Sequence, residues 1–353
     1  MAIREINVKT LLFALAVLVG PGLDGAVASA AATAKLPATM RAAALDQGGG
    51  PEVLTLHTLP IPAVGPQDVL IALDTAGVAS WDASIRQDPD AWGKHRSRPL
   101  VLGTDGSGRV AALGSAVQGF KVGDIVYAYS FDNPQGGFYA EYVAVAADHV
   151  GHVPANLSLR DAGAIGTTAL TALQGVDDAL HLKAGQALII HGAVGGVGTL
   201  AIQFAKLRGA RVLATVSGED GAALARRLGA DAVVDGRSGD ILAAARALAP
   251  GGVDAVLALA GGAPLERCMD ALRPGGVLAF PTGVEPEPKR EGLHIVAYDA
   301  IPNHGGFDRL NAVIATMNLQ VPIAAEFPLS EAAKSHERLA AGHVLGKVVL
   351  RVH

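Results

Sequence analysis

The sequence contains very little cysteine and little charge. Its single cysteine, Cys268, excludes a disulfide within the chain and any zinc site built from several cysteines. Charged residues make up 17% of the chain, the formal net charge is −5, and no basic run occurs, so nucleic acid is not expected as a partner. Half of the residues are hydrophobic, which is enough for a large core. The length of 353 residues predicts two domains.

The first 30 residues differ in composition from the rest of the chain. Arg4 and Lys9 precede the apolar run Leu11–Val19, and small residues follow at Ala26–Ala30. This order is typical of a secretory signal peptide. The apolar run is much shorter than the roughly 20 residues that span a bilayer, so no stable membrane insertion is expected after cleavage. We therefore expect a periplasmic or secreted protein; the alternative is a cytoplasmic protein whose translation starts at Met40.

A glycine-rich turn organises the second half of the chain. The apolar run Leu188–His191 leads into Gly192–Gly198, and the amphipathic segment Thr199–Arg208 follows. With the next apolar run, this order predicts a βαβ unit of about 30 residues. Glycines let a pyrophosphate approach the backbone, and the helix N-terminus offers it free N–H groups. The alternative is a βα turn with a purely structural role. The predicted cofactor-binding residues here are Ala193, Val194, Gly195, Gly196, Val197 and Gly198.

Residues 40–152 contain many short strands and glycine turns, which predict a small barrel or sandwich. One segment places an aromatic residue and a carboxylate just after a predicted strand. In it, we expect Trp81 to cover a flat ligand in a cleft and Asp82 to orient the next helix or a partner. The alternative is that Asp82 caps a helix while Trp81 packs in the core.

From residue 158 onwards, strands alternate with helices, which predicts a parallel, doubly wound sheet. A helical stretch is predicted over Ser158–Gly175, and Ser158 and Asp161 have capping-box spacing at its start. Ligands of such sheets bind at the carboxyl ends of the strands, so Gly261 and Gly283 are expected beside the cofactor. Residues 284–306 are rich in Pro, Glu, Lys and Gly and are predicted to form a loop.

Several blocks of this sequence together resemble one family. The blocks are Gly48-Gly-Gly-Pro-Glu-Val-Leu54, Gly103-Thr-Asp-Gly-Ser-Gly108, Gly119-Phe-Lys-Val-Gly-Asp124, Gly137-Phe-Tyr-Ala-Glu-Tyr-Val143, Gly192–Gly198, Leu228-Gly-Ala-Asp231, Leu272-Arg-Pro-Gly-Gly276 and Gly346-Lys-Val-Val-Leu350. From about residue 40 onwards, the chain resembles medium-chain dehydrogenases/reductases of the zinc-free quinone oxidoreductase (zeta-crystallin-like) branch.

The resemblance implies an α/β fold with two domains. A Rossmann doubly wound parallel sheet would occupy residues 158–302. A GroES-like, partly closed β-barrel would occupy residues 38–157 and 303–353. Between them the family has a cleft in which NADPH gives hydride to a quinone or an α,β-unsaturated carbonyl. Relatives are commonly homodimers paired through the Rossmann-domain edges.

The sequence departs from the zinc-dependent relatives and from the quinone oxidoreductases. Zinc-dependent relatives carry Gly-His-Glu where this chain has Gly103-Thr104-Asp105, and a ligand cysteine near Ala79. The eleven histidines show no ligand spacing and are expected mostly at the surface or in loops, so no metal is expected. The Asn-Pro-x-Asp segment that lines the nicotinamide pocket in the branch reads Ala79-Ser80-Trp81-Asp82 here, which keeps the Asp and loses the Asn.

NADPH is the expected cofactor, with NADH as the alternative. An NAD enzyme usually has an acidic residue at the end of the second strand, where this chain has Val216-Ser217-Gly218. Glu219 and Asp220 follow slightly too late in the sequence, unless the loop geometry brings one of them back. The Lys and Tyr of close NADPH relatives are replaced by Gly221 and Gly236. The resemblance also places Thr171 near the cofactor. The candidates for binding a 2′-phosphate are Ser217, Arg226, Arg227 and Arg237, of which Arg226 and Arg227 are expected to be solvated helix residues.

Reduction of a carbonyl substrate also needs a proton donor, and hydrogen-bond donors must stabilise the developing oxyanion where no metal does so. We expect Tyr139, in the block beside the predicted cleft, to be that donor; Tyr127, Tyr129 and water are alternatives. The predicted catalytic residues are therefore Trp81, Asp82 and Tyr139. A rival hypothesis is an exported protein that binds a small molecule or nucleotide without turnover.

Overall fold

A computed structural model of the protein describes residues 36–92 and 98–353. The predicted signal peptide at residues 1–30 lies outside these ranges. Residues 37–353 form one compact unit, in which the described strands assemble into three sheets. The strands are β1 (Thr39–Leu45), β2 (Thr55–Pro60), β3 (Asp68–Val78), β4 (Leu100–Val101), β5 (Asp105–Leu113), β6 (Ile125–Tyr129), β7 (Tyr142–Ala146), β8 (Val150–His152), β9 (Ala187–His191), β10 (Arg211–Val216), β11 (Ala232–Asp235), β12 (Val253–Ala258), β13 (Leu272–Pro281), β14 (His294–Tyr298), β15 (Ile323–Pro328) and β16 (Lys347–Arg351).

Helices fill the connections, mostly in the second half of the chain. None of the described helices is long and apolar enough to cross a bilayer. The helices are α1 (Ser80–Gln87), α2 (Pro89–Trp92), α3 (Leu159–Gly163), α4 (Gly166–Gln174), α5 (Gly196–Leu207), α6 (Gly218–Arg227), α7 (Ile241–Leu248), α8 (Ala263–Asp270), α9 (His304–Ala315) and α10 (Ala332–Ala340).

The predicted doubly wound sheet is confirmed. Its strand order is β11-β10-β9-β12-β13-β14, and every neighbouring pair is parallel. The central strand β9 is buried along its whole length, which explains its continuous apolar sequence. Leu188 and Ile190 pack into one core with Leu200 and Phe204 of α5, whereas Ile189 packs into a second core with α7 and α8. Alternate residues of one strand therefore serve both faces of the sheet.

A seven-stranded sheet forms the other half of the unit. Its order is β15-β16-β3-β5-β6-β8, with β7 paired to β3, and β2-β1-β4 form a small separate sheet. The last strand of the chain, β16, pairs with β3 from the first part of the chain. Strands from both ends of the sequence thus build one sheet, as the resemblance implies.

The structure refines one local prediction and contradicts another. The helix predicted over Ser158–Gly175 is divided into α3 and α4, because the N–H groups at Ala164 and Ile165 bond back only three residues. Gly163 and Gly166 on either side pack so closely against β3 and β6 that a Cβ would not fit, so the bend lets the two helices follow these strands. The capping of α3 by Ser158 is confirmed, since its Oγ accepts from Asp161 N.

The loop predicted at residues 284–306 contains strand β14. The run His294–Tyr298 is only five residues long and lies between polar, proline-rich segments. The run forms a strand because it pairs with β13 over five residues at the edge of the sheet. Its own sequence gives no strong signal for a strand. Such short strands depend on tertiary context, which the local sequence does not display.

Candidate active site

The glycine-rich turn between β9 and α5 forms an open cradle. Gly192 has φ +80°, and a Cβ on Gly198 would lie 2.5 Å from the Gly192 carbonyl oxygen, so both positions need glycine. A Cβ on Gly195 would meet nothing closer than 3.7 Å, which leaves open space in front of its backbone. The first helical bond runs from Thr199 N to Gly195 O, so the N–H groups of residues 196–198 remain for a ligand. This end of α5 suits a phosphate.

The neighbouring strand ends face this turn. Ala193 N donates to Thr215 O, and Leu259 N donates to His191 O. A Cβ on Gly192 would lie 3.4 Å from Ala260 Cβ, so the end of β12 adjoins the cradle. Gly261, the next residue, has no room for a Cβ because the carbonyl oxygen of Glu285 would lie 2.2 Å away. The structure thus brings the turn and the β12 end together.

Gly283 and Thr171, two other predicted cofactor residues, occupy different surroundings. Gly283 has φ +93° and open space where a Cβ would point. Thr171 is buried in α4, its hydroxyl donates to Thr167 O, and its carbonyl accepts from Tyr298 Oη. Its Oγ1 proton is therefore already used within the helix. Thr168, one turn earlier, is the α4 residue beside the cradle, since its methyl group lies 3.2 Å from a Cβ built on Gly196.

A buried ion pair joins the cradle to the other sheet. Gly346 N donates to Val194 O, which lays the start of β16 along the glycine-rich turn. The next residue, Lys347, is only 6% exposed, and its ammonium lies 3.6 Å from Asp105 Oδ1 at the start of β5. The lysine side chain passes close to Gly77, where an added Cβ would lie 2.9 Å from its Cε, and its Cδ lies 3.6 Å from a Cβ built on Gly196. A positive charge therefore stands beside the N-terminus of α5.

Several buried polar atoms near this pair have no hydrogen-bond partner within the described ranges. Asp105 Oδ2 accepts from Thr167 N at 3.0 Å, but Asp105 Oδ1 and Thr167 Oγ1 accept or donate nothing. The hydroxyl of Thr104, the residue beside Asp105, is also unpartnered. Buried polar groups are nearly always hydrogen-bonded in folded proteins. Unpartnered groups around a buried ammonium are what a site for a polar ligand requires.

Asp82 and Tyr139 belong to a buried hydrogen-bonded chain. Arg86 Nη1 lies 2.7 Å from His336 Nδ1, and Tyr139 Oη lies 3.2 Å from His336 Nε2 and donates to Asp82 Oδ2 at 2.9 Å. Because arginine only donates, His336 Nδ1 accepts and its Nε2–H donates to Tyr139. Asp82 also accepts from Ala79 N and so caps α1. All four side chains lie in the interior.

Burial shifts the pKa values of this chain of groups. It raises the pKa of Asp82 to about 6, although the hydrogen bonds from Ala79 and Tyr139 act in the opposite direction. It lowers the pKa of His336 to about 4, and the Arg86 charge adds to this effect. The pKa of Tyr139 is raised well above its usual range by burial and by Asp82. At neutral pH the imidazole and the phenol are therefore neutral.

The three tyrosines considered as proton donors differ in the state of their hydroxyl groups. Tyr139 is fully buried and its hydroxyl is engaged by Asp82. Tyr127 is equally buried and donates to Asn311 Oδ1 at 2.8 Å. Tyr129 pairs through its backbone with Asp105 across β5 and β6, and its hydroxyl makes no hydrogen bond with any described residue. Burial raises its pKa, so it keeps its proton. The hydroxyl of Tyr129 is therefore open to a ligand, whereas those of Tyr127 and Tyr139 are engaged within the interior.

Trp81 lies in an aromatic cluster. Its ring centroid is 6.2 Å from that of Phe131, which is 6.2 Å from that of Trp92. Trp92 and Phe131 are exposed, and the buried Nε1 of Trp81 has no acceptor among the described residues. An indole with an unused donor beside exposed rings fits a flat ligand that carries an acceptor.

The residues expected at a 2′-phosphate lie around the end of β10. Ser217 precedes α6, and Arg237 N donates to Asp235 Oδ1 at the end of β11. The guanidinium of Arg237 forms no ion pair with the part of the chain that the structure describes. Arg226 and Arg227 are exposed in the last turn of α6, as expected. The described residues also contain no group of three His, Cys, Asp or Glu side chains that could hold a metal ion.

Known proteins share this architecture along almost the whole chain. Residues 65–155 match the model of the alcohol dehydrogenase GroES-like domain, and residues 196–298 match that of the zinc-binding dehydrogenase domain. A quinone oxidoreductase from Pongo abelii is 30% identical over 88% of this chain and 97% of its own length. The chain belongs to the quinone oxidoreductase branch of the medium-chain dehydrogenase/reductase superfamily. This confirms the resemblance and the predicted fold class.

Solved structures of the superfamily agree with this assignment. An NAD-dependent alcohol dehydrogenase superposes with a TM-score of 0.82 at 32% identity, covering 89% of this chain and all of its own. A mycobacterial protein in complex with NADPH superposes with a TM-score of 0.78 at 26% identity and similar coverage. Both nicotinamide cofactors thus occur among the relatives.

Sequence reasoning missed several residues of this site. Lys347 stands in one of the family blocks, and a single charge before an apolar strand was a signal that could have been used. Asp105 was considered only as a missing zinc ligand. Most of the described histidines are half-buried or exposed, as expected, but His191 and His336 are buried.

Proposed function

We propose that the protein is a metal-independent NAD(P)H-dependent reductase that transfers hydride to a quinone or an α,β-unsaturated carbonyl. Its family makes it an oxidoreductase; the acceptor and the independence of zinc are the proposal. The observation that carries it is the junction at Lys347. There the phosphate-binding end of α5 meets a buried charge and unpartnered polar groups from the other sheet.

Some of these residues would bind the cofactor and the acceptor, and another would donate a proton. The N–H groups of residues 196–198 and the ammonium of Lys347 would hold the cofactor phosphates. When bound, the nicotinamide supplies the hydride. Trp81, Phe131 and Trp92 would cover a planar acceptor. The Tyr129 hydroxyl holds a proton that can pass to the acceptor oxygen as charge develops there, and water restores it afterwards.

NADPH remains the expected cofactor, because no acidic residue ends β10. Oxidation of NADPH and of NADH by 1,4-naphthoquinone and by 2-cyclohexenone tests the proposal, using the chain that begins at residue 31. Sustained oxidation with either acceptor supports it. Tight cofactor binding without turnover would instead support the rival binding protein. Quenching of Trp81 and Trp92 fluorescence measures that binding.

We also propose that the first 30 residues direct export to the periplasm or the medium. The full sequence can be expressed in a bacterial host and the mature protein weighed by intact mass spectrometry. A mass that matches a chain beginning after the small residues Ala26–Ala30 supports export. An intact Met1, or a start at Met40, contradicts it.

A further inference from the structure

Four strand ends meet at one edge of the seven-stranded sheet. The end of β3 pairs with the start of β16 beside Lys347, and the start of β5 pairs with the end of β6 at Tyr129. Because β16, β3, β5 and β6 are antiparallel to their neighbours, the segments that leave β3 and β6 lie at the same edge as Lys347. Trp81 follows the end of β3 closely, and Phe131 follows the end of β6.

The two segments contact each other through their aromatic rings. The rings of Trp81 and Phe131 are tilted by 59°, and Trp92 contacts the ring of Phe131 at a similar tilt of 58°. Phe131 and Trp92 are exposed, whereas Trp81 is half-buried. The contact with Phe131 therefore brings the indole of Trp81 to the end of β6, where Tyr129 lies.

Two hydrogen-bond donors in this region have no acceptor among the described residues. Trp81 Nε1 is buried and unpartnered, and the Tyr129 hydroxyl makes no hydrogen bond. A buried donor without an acceptor costs about 1–3 kcal/mol, so a ligand that supplies the acceptor is favoured. An indole N–H only donates, and Tyr129 keeps its proton because burial raises its pKa. Two uncharged donors fit a carbonyl oxygen, which accepts through two lone pairs.

We propose that Trp81 is a specificity-determining residue whose Nε1–H, together with the Tyr129 hydroxyl, binds the carbonyl oxygen of a flat cyclic acceptor. The inference rests on the proposed function, because it names a group that holds the acceptor. Since Trp81 Nε1 is covered by its surroundings, the oxygen has to enter the ring cluster, and the thin edge of a planar ring suits that entry. The segment Ala79–Asp82, which lacks the Asn of the quinone oxidoreductase motif, thereby regains a donor.

The two donors have different parts in the reaction. As hydride adds to the β-carbon of a cyclic enone, the electron pair of the C=C bond shifts and an enolate forms, with its negative charge largely on the carbonyl oxygen. That oxygen takes the proton of Tyr129, which gives the enol, and water returns a proton to Tyr129. The enol then rearranges to the saturated ketone. Trp81 keeps its own proton, and its hydrogen bond strengthens as the charge develops.

The test uses Trp81→Phe, which keeps an aromatic ring and removes the N–H. Calorimetry measures binding of pentafluorophenolate, whose oxygen resembles the developing enolate, and of pentafluorobenzene, which lacks that oxygen. Both are titrated into the chain from residue 31 with NADP⁺ present. We expect the Kd for the phenolate to rise about tenfold in Trp81→Phe, and that for pentafluorobenzene to change less than about twofold. The kcat for 2-cyclohexenone should fall about tenfold, with an unchanged Kd for NADPH.

The control variant is Phe120→Leu. Phe120 stacks on His152 and precedes the start of β6, at the opposite end of that strand from Tyr129. This variant should bind both probes like the wild type. Thermal unfolding shows whether each variant keeps its fold. If Trp81→Phe does not fold, Tyr129→Phe tests the second donor in the same way, and an unchanged phenolate Kd there overturns the inference.

The outcomes separate this inference from the proposed function. An unchanged phenolate Kd in folded Trp81→Phe, or an equal loss of affinity for both probes, overturns the inference, because the N–H then holds no oxygen. Turnover of 2-cyclohexenone by the wild type would still leave the reductase intact. Selective loss of phenolate binding without any turnover by the wild type would instead overturn the reductase and keep the oxygen site.

Discussion

The ammonium of Lys347 lies 3.6 Å from Asp105 Oδ1, and it donates no hydrogen bond to any residue that the structure describes. The two residues are far apart in sequence and come from different strands of the seven-stranded sheet. A buried ion pair in which neither the ammonium nor the facing carboxylate oxygen makes a hydrogen bond is costly unless a ligand completes its interactions. The cofactor phosphates at the start of α5 are the ligand that the arrangement fits.

Replacing Lys347 should therefore weaken both cofactors alike. In Lys347→Met we expect the Kd for NADPH and for NADH to rise by at least about tenfold, because one charge-assisted contact is lost. Asp105 would also be left buried and unpaired, at a cost of about 3–5 kcal/mol in the free energy of unfolding. The double variant Lys347→Met, Asp105→Asn should recover much of that stability without recovering affinity.

The control for this prediction is Lys206→Met, which removes a partly exposed lysine paired with Asp231. It should leave both Kd values unchanged. Full affinity in the Lys347→Met and Asp105→Asn double variant would show that the pair only supports the fold.

Tyr129 and Tyr139 should respond differently to loss of the hydroxyl. Tyr129→Phe is expected to lower kcat by about 10²-fold with little change in cofactor Kd, since proton transfer by a placed group is worth at least that much. Tyr139→Phe should keep most of the turnover but unfold more readily, because Asp82 and His336 lose their shared partner. Steady-state kinetics measures the turnover of both variants, and thermal unfolding measures their stability. Unchanged kcat in Tyr129→Phe would leave the proton to water.

The Asp82 and His336 pair predicts an unusual dependence of stability on pH. Asp82 keeps its proton to about pH 6 in the folded protein but loses it near pH 4 when unfolded, so its contribution falls as pH rises through that window. His336 stays neutral down to about pH 4 when folded but is protonated below about pH 6.5 when unfolded, so its contribution rises with pH. Between about pH 4 and 6 the two effects oppose each other.

Single variants should reveal each effect. Relative to the wild type, Asp82→Asn should gain stability as pH rises from 4 to 6, whereas His336→Gln should lose it. Each slope should approach about 1.4 kcal/mol per pH unit, the value for a difference of one proton. Urea unfolding at several pH values measures the slopes. Parallel curves for the wild type and both variants would contradict the assignment.

Alanine substitutions at two glycines of the cradle should have different effects, one on stability and the other on cofactor binding. Gly198→Ala places a Cβ 2.5 Å from the Gly192 carbonyl oxygen, so we expect a loss of stability of about 2 kcal/mol or more. Gly195→Ala has room for its Cβ and should fold normally, but the methyl group would occupy the space of the cofactor phosphate. Thermal unfolding and NADPH titration of both variants test the contrast, which fails if Gly195→Ala binds like the wild type.

The sequence predicted the parts of the site that lie within one βαβ unit. Residues Gly192–Gly198 are neighbours in the chain, so their spacing alone describes their geometry. Lys347 approaches this unit from the C-terminal segment, and no local pattern records that contact. Strand β14 was missed because a five-residue run gains its stability from pairing with β13. Tyr139 was placed beside the cleft from its motif, yet the fold turns its hydroxyl toward His336, which lies on α10.

The position of β16 between β15 and β3 also governs when this protein can fold. Strand β3 is synthesised long before its neighbour β16, since more than half of the described chain lies between them. Until β16 has been synthesised, that edge of β3 stays unpaired, a state that invites aggregation. The parallel sheet formed by residues 187–298 has no such requirement and can assemble first. A chaperone that shields β3 would therefore act during the interval between synthesis of β3 and of β16.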